Sequence, residues 1–579
     1  MPADSPVATL NASPGTVSAP PLRPARAVWG LGLAAVLSAV LLPIAVVLAH
    51  LFVPTGDLWA HLSSTVLPRY VVNTLWLIAG VGVLTLIGGV GTAWLVSLCR
   101  FPGRRFFSWA LLLPFAMPAY VIAYTYTGLL DFAGPVQSGL RDLFGWSAGD
   151  YPAPNIRSLT GAIVMLSLVL YPYVYLLSRS AFLEQSICSL EVSRTLGCTP
   201  AQAMRRVALP LARPSIVAGM ALALLEALNE FGAMQHFGVD TFTTGIFRVW
   251  LADGSPAAAA KLASVFLIFV FAILVLERRS RGRAAFHNLS IRYRPLPGWR
   301  LAGWRAAFAV IFCATPIVFG FAAPAAALLW WTWLSAAEVV NADFVRLLIT
   351  SVALAGSAAL ITVAVALFLA YAARRSASRL FRGLTRLAAI GYAVPGAVLA
   401  VGIVIPFAAL DERINAFGAD VFGLSPGLIF SGTVFALLFA YAVRFLAISY
   451  GAVDGGLTRI TGHMDDAART LGASATGVVR RIHAPMLRPS IAAAGLLIFV
   501  DVLKELPATL LLRPFGIDTL ALRTYEYATD EQLVEAAPSA LAIVLAGTLP
   551  VILLSRAMRR SSEPREAEGV APIAAGAPL

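Results

Sequence analysis

Two matching groups of polar side chains stand inside apolar sequence. Glu226, Asn229 and Glu230 form the first group. Asp501, Lys504 and Glu505 form the second, each 275 residues after its counterpart. On a continuous helix, positions three and four apart share a face, so each trio projects one way. Counting about 1.5 Å per residue from the basic end puts position 226 past mid-membrane and position 230 nearer the far surface. Ionisable groups at such depth are expensive, and they line a polar path or pair with one another. Two chemistries follow. Glu226, Glu230, Asp501 and Glu505 could present carboxylate oxygens to a hard cation, with Lys504 neutralising part of the charge. The same groups could instead pair between helices and only hold a bundle together.

The elements that position these trios are announced by a second repeat, just upstream of each. Glu191 to Ser215 reads EVSRTLGCTPAQAMRRVALPLARPS, and Asp466 to Ser490 reads DAARTLGASATGVVRRIHAPMLRPS, again 275 residues apart. Both copies keep a glycine (Gly197, Gly472), an arginine pair (Arg205 and Arg206; Arg480 and Arg481) and a proline (Pro210, Pro485). Thr199-Pro200-Ala201-Gln202 predicts a capping box with proline at the first helical position. The helix it opens is expected to stop before Pro210, which leaves Arg205 and Arg206 near its negative end. Gly197 suits a left-handed cap on the helix before it. The second copy has Ser474 at the cap and Gly477 in place of the glutamine. Identical spacing so far apart marks an internal repeat rather than chance topology.

Composition sets the class. Of 579 residues, 59% are hydrophobic and 13% charged, and the mean hydropathy is +0.80. Soluble domains carry about 25% charged residues, so the chain reads as an integral membrane protein. The net charge of +13 fits loops beside apolar runs better than nucleic-acid binding. The four cysteines, Cys99, Cys188, Cys198 and Cys313, form no CxxC or metal-ligand spacing. No GxxxxGK[ST] occurs, so the chain has no P-loop of its own.

A span needs about 20 apolar residues. Twelve runs qualify, at 27–49, 70–99, 106–130, 158–178, 214–235 and 257–276, then 306–334, 347–373, 387–410, 421–443, 490–512 and 536–555. The fold class is therefore all-α, with 12 transmembrane helices as two six-helix repeats of the same orientation, related by an axis along the membrane normal. Pro118 and Pro395 match at an offset of 277, as do Trp94 and Tyr371. Arginines concentrate in the loops on one side, which makes that side cytoplasmic along with both termini. The opposite loops are mostly acidic, with Asp131, Asp240, Asp411 and Glu531 among them. The expected organisation is a disordered tail at 1–26, one domain at 27–277, a cytoplasmic linker at 278–304, a second domain at 305–559 and a tail at 560–579.

With these residues in view, the two loops resemble the EAA loop of binding-protein-dependent ABC importer permeases: Glu-Ala-Ala, three residues, Gly, then Pro thirteen further on. The triplets here read Glu191-Val192-Ser193 and Asp466-Ala467-Ala468, so each copy departs from the pattern. The resemblance implies a type I importer-like fold in a bacterial inner membrane, with the loops seated in a cleft of a separate ABC ATPase dimer. Glu191, Gly197, Arg205, Arg206, Pro210, Asp466, Ala467, Ala468, Gly472, Arg480, Arg481 and Pro485 would make that contact. It also implies ATP on the partner subunit, no cofactor and no tightly bound metal on this chain, and an extracytoplasmic substrate-binding protein as the second partner. The stretches 230–250, 501–528, 391–403 and 410–418 are similar to the fused two-domain permeases of ferric iron importers, over nearly all of residues 27–559. Glu230 before Phe-Gly also looks like permeases for oxyanions, and thiamine permeases share the fused architecture. Tyr120, Tyr124, Tyr126, Tyr171, Tyr173 and Tyr175 fall in the third and fourth spans. Phenolates ligate ferric iron, but tyrosine is also an ordinary packing or interfacial residue. A secondary transporter driven by an ion gradient would also use repeats and intramembrane carboxylates, yet it has no need of the paired loops.

Overall fold

The structure is a computed structural model, and it describes residues 23–562 except 148–149, 152–154, 185–198, 282–298, 376–382, 384, 386–390, 392, 459 and 461. Long apolar runs leave the backbone no partner but itself, and helix is the result. In the first half, Leu31–Phe52, Leu67–Leu98, Leu159–Leu183, Met204–Asn229 and Pro256–Glu277 are long and apolar enough to cross a membrane. In the second half, Trp304–Val339, Ala342–Ala373, Val434–Thr458, Val479–Leu503 and Leu533–Leu553 are. Trp76, Trp333 and Leu360 on these helices are more than 60% exposed, a costly arrangement in water and a neutral one against lipid. Among the described residues the strand content is one parallel pair, Cys99–Arg100 beside Trp299–Arg300. It ties the start of the second half to the end of the second span, where Trp94 stacks on Trp299 at 5.2 Å.

Spans three and nine are not the plain rods expected at 106–130 and 387–410. Arg104–Ala116 and Ala119–Phe144 meet at 90°. The break falls at Pro118, whose backbone is extended (φ −62°, ψ 143°). Its repeat mate Pro395 has the same conformation (φ −56°, ψ 140°) and heads the helix Gly396–Phe422. That helix carries Asp411, Glu412 and Arg413 in its later half, which ends its apolar stretch early.

Spans five and eleven differ from expectation at both ends. The helices do not stop before Pro210 and Pro485. A π-helical turn, Met204–Ala208 in one half and Val479–His483 in the other, leads into the helices Leu209–Asn229 and Ala484–Leu503. Proline lacks the N–H for an i→i−4 bond, and the widened turn ahead of it takes up the mismatch without ending the helix. At their other ends both helices break early, at Glu230 and at Lys504. Short helices, Gly232–His236 and Pro507–Leu512, follow.

The halves interlock through their first spans. Helix Arg23–Ala49 packs against Gly396–Phe422 of the second half, and Trp304–Val339 packs against the second, third and fourth spans of the first. Both crossings use a glycine against backbone. A side chain at Gly402 would strike the Pro43 carbonyl, and one at Gly320 would come within 2.7 Å of the Leu168 carbonyl.

Candidate functional site: a charged cavity and two basic loops

The breaks at Glu230 and Glu505 are built alike. At Glu230 the backbone turns extended (ψ 119°), and its carboxylate accepts the Ala233 N–H at 2.9 Å. The Thr243 hydroxyl donates to the Glu230 carbonyl at 3.0 Å. Glu505 accepts the Ala508 N–H at 3.2 Å, and the Thr509 hydroxyl donates to its carbonyl at 2.6 Å. Each glutamate thus caps the short helix after it, instead of lying on a continuous helix face. The sequence held a signal for this in Phe231-Gly232 and Leu506-Pro507, both poor continuations of a helix.

The two breaks face one cavity of ≈ 80 Å³, whose wall includes Tyr120, Glu226, Asn229, Glu230, Arg444, Asp501, Lys504 and Glu505. That is room for a bare ion or a few waters. The structure therefore brings together all five cavity residues singled out from sequence, on one wall system. It adds Arg444, which sequence reasoning missed because it falls one residue past the expected end of the tenth span. Arg444 lies well inside the helix Val434–Thr458, and the apolar residues on both sides of it in FAYAVRFLAIS were the available signal.

The two halves of the wall differ in charge. Arg444 pairs with Glu505 at 3.2 Å, their side chains 6% and 5% exposed. Gly396 leaves the space for this pair, since a Cβ there would press on the Arg444 guanidinium and lie 2.6 Å from Glu505 Oε1. Lys504 pairs with Asp501 at 2.9 Å and lies over the Phe115 ring. Among the described residues Glu230 forms no ion pair. Four carboxylates thus share the wall with two cations. Among the described residues no group of three or more His, Cys, Asp or Glu is placed to hold a metal, so a cation here would also need other oxygen donors.

The tyrosines separate by role. Tyr126, Tyr171 and Tyr175 donate to the carbonyls of Phe319, Leu111 and Ser108 at 2.7, 2.6 and 2.9 Å, which is packing. The hydroxyls of Tyr120 and Tyr124 are buried without a hydrogen-bond partner among the described residues.

The basic loops lie at the opposite ends of the helices that carry the trios. Each trio and its loop are separated by one helix of roughly 30 Å. Thr199 and Gln202 form the expected reciprocal cap, with Gln202 N–H to Thr199 Oγ1 at 3.3 Å and Thr199 N–H to Gln202 Oε1 at 3.0 Å. In the second copy Gly477 N–H reaches Ser474 Oγ at 3.2 Å. Gly472 is left-handed (φ 81°), and the N–H of Ala473 returns to the Ala468 carbonyl at 3.0 Å. Arg205, Arg206, Pro210, Asp466, Ala467, Arg480, Arg481 and Pro485 are exposed, while Ala468 is buried. Glu191 and Gly197 lie outside the described residues. One contact here escaped the sequence reading. Buried His483 joins Tyr371 Oη through Nδ1 at 2.7 Å and Asp465 Oδ1 through Nε2 at 2.7 Å. The repeat mates of His483 and Tyr371 are Ala208 and Trp94, so this link has no copy in the first half.

Several of the acidic loop residues on the far side are already engaged. Arg157 reaches Glu531 at 2.8 Å and Asp131 at 3.2 Å, and Asp240 takes Arg248 and Arg69. Asp411, 1% exposed, accepts the N–H groups of Ile429, Phe430 and Ser431.

The repeat seen in loops, breaks and π-turns has a counterpart among known proteins. The model of the binding-protein-dependent transport system inner membrane component matches twice, at residues 86–281 and 362–567. The chain belongs to that family. An Fe(3+)-transport system permease protein, FbpB 2 of Haemophilus influenzae, is 28% identical over 84% of this chain and 89% of its own length. A putative ferric transport system permease protein of the same organism, FbpB 1, is 24% identical over 80% of this chain and 73% of its own. The sulfate transport system permease protein CysT of Salmonella typhimurium is 28% identical over 34% of this chain and 72% of its own length. Two family matches in one chain make it a fused, two-domain, multi-pass ABC permease.

Proposed function

We propose that the chain is the complete transmembrane part of an ATP-driven importer for ferric iron. A separate ATPase dimer would grip the two basic loops, and a binding protein would deliver cargo to the far side. The arginine-rich loops and both termini would then face the cytoplasm, with the domain borders near 277 and 305. The observation that carries this reading is the pairing of each exposed loop with a cavity trio at the two ends of one helix. A rod that joins a surface knuckle to a buried charged cavity can convert a pull at one end into a change at the other. Closure of an ATP-bound dimer would draw the loops together and turn the cavity outward, and hydrolysis would return it. The cargo reading rests on the excess of carboxylates in the cavity and on the ferric permeases that the chain resembles along most of its length.

Arg444 and Lys504 in the cavity, with the likeness to a sulfate permease, favour an oxyanion as the second reading. Both cations are, however, held by carboxylates of the same wall. The test is reconstitution of the chain with its ATPase and binding protein in proteoliposomes. ATP-dependent uptake of ferric iron and not of sulfate or molybdate is the expected result. Loss of ATPase association in Gly472→Arg is expected alongside it. Uptake driven by an ion gradient without the ATPase would overturn the importer reading.

A further inference from the structure

The cavity is not symmetric, although the repeat that builds it is. Asp501 and Glu505 are each matched to a cation of their own half, Lys504 at 2.9 Å and Arg444 at 3.2 Å. Among the described residues the first half has no such match for Glu230. Val169 stands at the place corresponding to Arg444, and Asn229 at the place corresponding to Lys504. Asn229 is 5% exposed, lines the cavity, and among the described residues has neither its amide oxygen nor its amide nitrogen in a hydrogen bond. Tyr120, 3% exposed, lines the same cavity with its hydroxyl also unpartnered among the described residues. Tyr120 flanks the Glu230 turn closely: a Cβ on Gly232, two residues on, would lie 2.8 Å from Tyr120 Cβ. Buried polar groups are almost always satisfied, and one left unpaired bears its desolvation cost without compensation. Two such groups beside an unmatched carboxylate mark a wall built for a ligand that brings positive charge and accepts oxygen donors.

We infer that the cation is held on the first-half wall alone, by the Glu230 carboxylate, the Asn229 amide oxygen and the Tyr120 oxygen. This rests on the ferric reading above and adds which wall binds and with what ligands. A hard trivalent ion takes oxygen ligands. Binding to Tyr120 as phenolate exchanges the hydroxyl proton for the Fe–O bond and releases that proton to solvent, with no change in oxidation state. The second-half ion pairs then set the shape of the opposite wall and take no direct part in holding the ion.

The experiment uses the full transporter, reconstituted with its ATPase and binding protein, and ferric nitrilotriacetate as the probe. The purified wild type should develop a visible phenolate-to-iron charge-transfer band on titration. Tyr120→Phe should lose that band, and Asn229→Leu should bind iron at least tenfold more weakly. Both should keep normal thermal unfolding. Ferric uptake in wild type with the band absent, or with the band and the uptake unchanged in Tyr120→Phe, overturns this assignment and leaves the importer reading standing. Uptake of another cargo and none of iron overturns the ferric reading itself.

Discussion

At the scale of single residues, the charges of the second-half wall depend on each other. Removing one partner from a buried pair leaves the other without compensation, a loss of about 3–5 kcal/mol, whereas replacing both by apolar groups is often neutral. Arg444→Met should therefore lower the thermal midpoint of the purified chain sharply, and adding Glu505→Leu should recover most of it. A double variant no better than the single one would show that the pair at 3.2 Å does not govern stability. Gly472 offers a different test. Nothing lies within 4 Å of a Cβ built there, so only its φ of +81° resists a side chain. Gly472→Ala should cost about 1 kcal/mol for the left-handed backbone and weaken ATPase association by about fivefold. Gly472→Asn, which tolerates that conformation better, should fall in between.

At the scale of elements, His483 joins three pieces of the second basic loop region. It sits in the π-turn, Asp465 belongs to the helix Gly462–Thr470, and Tyr371 belongs to the eighth span. Tyr371→Phe removes a single oxygen from this chain and should reduce the stimulation of ATP hydrolysis by cargo-loaded binding protein, with basal hydrolysis preserved. Trp94→Phe, at the matching place of the first half, should leave that stimulation unchanged. Much of this region was legible in the sequence. The cap at Thr199 and Gln202, the glycine break at Gly472 of the second copy and the exposed arginine pairs all follow from local chemistry, where a few neighbouring residues decide the outcome. The π-turns were not legible, because proline alone does not say whether a helix ends or widens. The helix breaks at Glu230 and Lys504 were missed for a related reason. A helical wheel over 226–230 assumes the helix it is asked to describe, and the competing turn is fixed by Thr243, thirteen residues on. His483, Asp465 and Tyr371 come together only through packing across 112 residues, which no spacing rule reaches.

At the scale of the whole molecule, one surface contact joins the halves on the side away from the basic loops. Arg157 of the first half holds Glu531 of the second through two hydrogen bonds, at 2.8 and 3.2 Å. Glu531 takes a left-handed backbone (φ 64°) to meet it. The Arg157 hydrogen bond, with its charge, keeps the Glu531 carboxyl below the ordinary glutamate range. A carboxyl whose folded pKa is lowered adds stability above its unfolded value, about 4.3. That contribution fades as pH falls through the folded pKa. The clasp should thus be intact at neutral pH and loosen under acid. Arg157→Glu should raise basal ATP hydrolysis by favouring the outward-open state, and the exchanged pair Arg157→Glu with Glu531→Arg should restore it. Equal behaviour of the single and exchanged variants would place the conformational balance elsewhere.

The crossing of the first spans has a further consequence for how the protein can be taken apart. Helix Arg23–Ala49 rests mainly on the second half, and Trp304–Val339 lies between the second, third and fourth spans of the first half and the helix Leu533–Ser562 of its own. Each half is therefore an incomplete object whose missing wall is supplied by its sibling. Introducing a protease site between residues 282 and 298 and cutting there should yield two fragments that still migrate together in mild detergent. Either fragment produced by itself should be degraded, because it would offer lipid a groove shaped for a helix that never arrives.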